Sequence, residues 1–122
     1  MTLLLLCVAG GAGALVRFVA DGLIRTRLGR AFPWGTLIIN VSGSLLLGVV
    51  TGVVLYHHGS STTKLVLGTG FCGGYTTFST ASFETVRLVE ERRFGHALLN
   101  SGGTLAFTML GAALGLLLVS CL

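Results

Sequence analysis

Four long hydrophobic runs divide the chain, separated by short polar or basic segments. They cover approximately residues 3–24, 33–56, 64–89 and 96–122. A helix that crosses a bilayer needs about 20 predominantly apolar residues, so each run has the length of one spanning helix. Four spans and three short connections use the whole sequence, which leaves no room for a nucleotide-binding or catalytic module. The pattern predicts one all-α integral membrane domain over residues 1–122. Pro33 stands near the first turn of the second span, where a missing N–H costs little. The opening stretch, MTLLLLCVAGGAGALV, has the small residues of a signal peptide but no basic start, and it reads as a retained helix.

Small residues recur at spacing four inside the runs. Gly10 and Ala14 do so in the first, Asn40, Ser44, Gly48 and Gly52 in the second, and Gly111 and Gly115 in the fourth. Residues four apart share a helix face, and small residues let membrane helices approach closely. These stripes are expected helix–helix contacts, with Asn40 the polar exception. In the fourth run Asn100, Thr104 and Thr108 form a polar stripe, with Ser101 beside it.

The third run is interrupted. Gly73-Gly74 followed by Tyr75, Thr76 and Thr77 is poor helix material. Irregular backbone survives at membrane depth only where it is buried in protein or lines a wet cavity. A break here would free backbone groups, the device by which discontinuous transport helices form ion sites.

Composition agrees with this class. Charged residues are only 10% of the chain and hydrophobic residues 52%, whereas soluble domains carry about 25% charged residues. The net charge of +4 is explained by topology rather than by nucleic acid. Arg17, Arg25, Arg27, Arg30, Arg87, Arg92 and Arg93 fall on the side of the first and third loops, and Lys64 alone lies opposite. Seven against one predicts that those loops are cytoplasmic and both termini outside. Cys7, Cys72 and Cys121 form no CxxC and read as small packing residues. His57-His58 reads as interfacial, not as a metal site.

Proton-coupled export wants an acid inside the membrane. The acids Asp21, Glu84, Glu90 and Glu91 all lie near span ends or in a loop. The interior polar groups are Asn40, Thr76, Thr77, Ser79, Thr80, Asn100, Thr104 and Thr108, all neutral and able to donate hydrogen bonds. With the electropositive edges of aromatic rings, they suit an anion that must shed water and still move on. No nucleophile–base pair can be assembled from them, so an enzyme is not expected.

Three segments carry a family resemblance: GTLIINVSGSLLLG (35–48), GFCGGYTTFSTASFE (70–84) and the glycine-rich first helix ending in Arg17. Together they resemble the Fluc (CrcB) fluoride channels, over all four spans. The resemblance implies a passive fluoride-selective channel in the cell membrane, through which cytoplasmic fluoride leaves. It further implies an antiparallel dimer of four-helix subunits with two narrow pores. A structural sodium ion would sit at the dimer centre, held by the backbone carbonyls of Gly73 and Thr76. Asn40, Phe78, Ser79, Thr80, Thr104 and Thr108 match residues of the fluoride path, and Glu84 matches an acid near a pore entrance.

Two positions depart from the family pattern. Ala81 stands where a second phenylalanine is frequent, and Asn100 where a tyrosine often begins the fourth-helix track. The charge bias also contrasts with the weak bias that the family's dual-topology homodimers imply. It points to one half of a heterodimer with a homologue of opposite topology. A small multidrug-type exporter and a non-conducting subunit supporting a conducting partner are the alternatives.

Overall fold

A computed structural model describes residues 1–122. It is helical throughout, with no strand. Helix α1 runs Thr2–Leu28 as one piece, and α2 runs Trp34–Tyr56 with Pro33 as its N-cap. Helix α3 covers residues 61–75 and α4 covers Phe78–Glu90. Helix α5 runs Phe94–Ser120. Two stretches widen into π-helical turns, Lys64–Cys72 in α3 and Leu99–Gly103 in α5. Such widened turns are frequent at functional sites.

Three helices, α1, α2 and α5, are each long and apolar enough to cross a membrane. The expected third span is the one that is divided. At 1.5 Å per residue α3 and α4 are each about 20 Å long, too short alone for a hydrocarbon core of about 30 Å.

Within the expected stretch Gly73 to Thr77, the break falls at the far end and not at Gly73-Gly74. Those two residues are helical, and the chain becomes extended at Thr76 (φ −80°, ψ 161°) and Thr77 (φ −147°, ψ 122°). The glycines answer to packing instead: a methyl group on Gly74 would collide with the backbone of Gly10 in α1. The same glycine-to-backbone contact holds α2 to α5, where Gly48 abuts Ala112 and Gly115 abuts the Leu45 carbonyl. The stripes of Gly10, Gly48, Gly52, Gly111 and Gly115 are therefore helix contacts, as their spacing predicts.

Burial is inverted relative to a protein in water. Only 20 of 122 residues are buried, and most of the leucine, valine and phenylalanine side chains point outward. Leu15, Phe18, Leu98 and Met109 are all well exposed. A bilayer, not an internal core, is the natural solvent for such a surface. Of the cysteines, Cys72 packs inside as expected, but Cys7 and Cys121 are exposed on the outer surface. The imidazole of His57 lies 3.3 Å from the Val119 carbonyl.

Candidate functional site

The break is held open by side chains. In a continuous helix the Thr77 N–H would bond the Gly73 carbonyl, and the Thr80 N–H the Thr76 carbonyl. Both donors are diverted. Thr77 N–H donates to Asn40 Oδ1 at 2.8 Å, and Thr80 N–H donates to Thr77 Oγ1 at 3.2 Å. The carbonyls of Gly73 and Thr76 are thereby released from the helix ladder. They are the two oxygens that the resemblance assigned to a cation. Asn40 completes its pairing by donating from Nδ2 to the Thr77 carbonyl at 2.9 Å.

Beside the break lies a groove of about 690 Å³, bounded by α2, α3, α4 and α5. It brings together Asn40, Gly73, Thr76, Phe78, Thr104 and Thr108 from the expected site. No charged side chain lines it. Phe78 stands at its edge with 88% of its surface exposed. Thr108 is satisfied within its own helix, donating to the Thr104 carbonyl at 2.7 Å. The Thr104 hydroxyl is buried without a partner.

Three expected residues are not on this groove. Ser79 is exposed on another side of α4, and Thr80 is turned back to Thr77, its Oγ1 3.0 Å from Thr77 Oγ1. Glu84 lies at the first-loop end, in a separate cavity of about 120 Å³ that it shares with Asp21, Arg25, Arg30 and Arg87. There Arg25 bridges two helices, with Nε 2.9 Å from Asp21 Oδ2 and Nη2 3.5 Å from Glu84 Oε1. The second carboxylate oxygens, Asp21 Oδ1 and Glu84 Oε2, are buried without hydrogen-bond partners.

Other lining residues were not among the expected site: Gly43, Ser82, Thr85 and Asn100. The signal for three of them was present, since Asn100 heads the polar stripe of Thr104 and Thr108. Ser82 and Thr85 follow Phe78 by four and seven residues, the spacing of one helix face. Gly43 is explained only by contact, since it makes room for the Thr76 methyl and the Tyr75 ring.

A lipid-facing bundle built around an interrupted helix, with a neutral polar groove at the interruption, defines a membrane transport protein of the channel type. The chain belongs to the CrcB-like family: the family described as "CrcB-like protein, Camphor Resistance (CrcB)" matches residues 4–116. It is similar to the "Fluoride-specific ion channel FluC 1" of Leifsonia xyli subsp. xyli, at 48% identity over 116 residues, 95% of this chain and 85% of the relative. It is also similar to the "Fluoride-specific ion channel FluC 2" of Cutibacterium acnes, at 52% identity over 121 residues, 94% of this chain and 98% of the relative.

Proposed function

We propose that the chain is a subunit of a passive, fluoride-selective ion channel that lets cytoplasmic fluoride leave across the cell membrane. It is not an enzyme. The observation that carries this reading is the lining of the groove, which offers hydroxyl, amide and ring-edge groups and no charged side chain, in a chain matching its fluoride-channel relatives over nearly its whole length. Neutral donors hold an anion without trapping it. A carboxylate there would repel the anion, and the exporter alternative needs one that the groove does not have.

In this reading α3 and α4 together make one interrupted crossing, giving four spans. The exposed face with the groove is where a second, antiparallel subunit packs. The freed carbonyls of Gly73 and Thr76 suit a sodium ion at that interface, because a hard monovalent cation takes neutral oxygen ligands. Bound there, sodium would neutralise the exposed dipoles of the break. Asn40, Phe78, Thr104 and Thr108 form the path along the groove, with Ser79 and Thr80 on the adjoining faces of α4. Glu84 belongs to the charged first-loop end.

The seven cations on one side against one on the other favour a single orientation, with the first and third loops cytoplasmic and both termini outside. The antiparallel partner is then a homologue of opposite bias. Fluoride efflux from liposomes, with chloride as control, tests both parts. Fluoride efflux is expected when this chain is reconstituted with such a homologue. Rapid efflux from the purified chain alone, with equal numbers inserted each way, would overturn the heterodimer. No fluoride selectivity in either arrangement would overturn the channel.

A further inference from the structure

Asn100 is wholly buried, at 0% exposure, in the π-helical turn of α5. Its Nδ2 donates to the Ala81 carbonyl at 3.2 Å and to Thr85 Oγ1 at 2.9 Å. Thr85 already gives its single hydroxyl proton to the same Ala81 carbonyl, at 2.8 Å. Both oxygens facing the amide can therefore only accept. Turning the amide over would set three oxygens against one another, so its orientation is determined. Both Nδ2 protons are used on α4, and Oδ1 is left buried with no partner.

That last feature separates two roles. A residue retained to fill space would not carry an unpartnered carbonyl, because an apolar side chain of the same shape avoids its desolvation. The amide is a poor choice for stability alone and a good one for gripping α4.

Helix α4 needs that grip. It has 13 residues and is cut off from α3 by the extended pair Thr76-Thr77. Asn40 holds it at its amino end, through Thr77. The polar tie toward its other end is the long, half-exposed Arg25–Glu84 pair at 3.5 Å, and Asn100 supplies the buried anchor between the two. Ala81 and Thr85 are four apart, and Phe78 lies three before Ala81, so all three share the groove face. The two positions at which the sequence departs from the family pattern, Ala81 and Asn100, thus meet each other.

We propose that Asn100 is a positioning residue that sets the rotation of α4, and through it the place of the Phe78 ring on the ion path. This rests on the fluoride-channel reading above.

Asn100→Leu is the discriminating variant. It removes the unpartnered Oδ1, and Thr85 and Ala81 remain bonded to each other. Thermal stability and assembly in detergent are expected to match the unmodified chain. Fluoride efflux, measured in the assembly in which the unmodified chain conducts, is expected to fall about tenfold, the order of one net hydrogen bond. The fluoride-to-chloride ratio is expected to fall with it. Thr85→Val removes one of the two grips and is expected to produce a smaller change in the same direction. The double variant should be no worse than Asn100→Leu alone.

A folded Asn100→Leu protein with unmodified rate and selectivity overturns the proposal, as do losses that simply add in the double variant. If Asn100→Leu fails to assemble, Thr85→Val decides: unchanged selectivity overturns the proposal and reduced selectivity supports it. Absence of fluoride efflux from the unmodified chain in every assembly overturns the channel reading itself, which sets that failure apart from this one.

Discussion

Asn40 and Thr77, 37 residues apart in sequence, exchange two hydrogen bonds of 2.9 and 2.8 Å, the side-chain amide pairing with both backbone groups of one threonine. A primary amide presents a donor and an acceptor side by side, as a peptide group does. The pair supplies from α2 the partners that Thr77 loses by leaving the helix.

Replacing Asn40 with alanine leaves the Thr77 N–H and carbonyl without these partners in a half-buried site. Each unsatisfied buried group costs about 1–3 kcal/mol. Asn40→Ala is expected to destabilise the protein by that order for each group, and to abolish fluoride efflux. Thermal unfolding in detergent and liposome efflux check it. Unfolding at the same midpoint as the unmodified chain would show that the break does not depend on this amide.

Thr77 also caps α4, its Oγ1 accepting the Thr80 N–H at 3.2 Å. Losing a threonine cap costs about 1 kcal/mol. Thr77→Ala is expected to show that loss, with faster hydrogen exchange at the first amides of α4. Thr77→Ser keeps the oxygen and is expected to restore protection. Equal exchange in the two variants would argue against the cap.

Gly73 and Gly74 are adjacent but predict opposite outcomes. A methyl group on Gly74 meets the Gly10 backbone, whereas one on Gly73 meets nothing within 4 Å. Gly74→Ala is expected to cost about 1–3 kcal/mol, the usual effect of overpacking. Gly73→Ala is expected to leave the folding of the single chain unchanged. Any loss it causes would then fall on the proposed subunit interface, and should appear as a smaller dimer fraction in size-exclusion chromatography.

Arg25 ties α1 to α4 through Asp21 and Glu84, but its side chain is 44% exposed. Exposed ion pairs contribute about 0–1 kcal/mol and weaken with salt. Arg25→Ala is expected to lower stability by less than about 1 kcal/mol at low ionic strength, and by less still in high salt. Comparing unfolding midpoints at two salt concentrations checks this. A large, salt-independent loss would mean that Arg25 organises the first-loop end by packing.

Much of the architecture was legible because a bilayer imposes simple rules. Segment length against hydrocarbon thickness marked α1, α2 and α5, and small residues at spacing four marked the faces that pack. The break was legible to within five residues, Gly73 to Thr77. Which of the five leave the helix was not legible: Gly74 stays helical where Gly10 approaches, and Thr76 and Thr77 carry the extended backbone. The residues expected on the path divide between two places. Asn40, Phe78, Thr104 and Thr108 meet at one groove, while Ser79, Thr80 and Glu84 lie elsewhere.

The sequence alone determined that the chain is a helical membrane protein with an interrupted third segment and neutral polar groups inside it. Composition, periodicity and run length are local quantities, and they suffice for that. That the Thr77 N–H leaves the helix ladder for Asn40, and that Asn100 reaches Ala81, were decided only by tertiary structure. Each of these depends on where two helices cross, and a crossing is set by side-chain contact between segments that linear spacing does not relate.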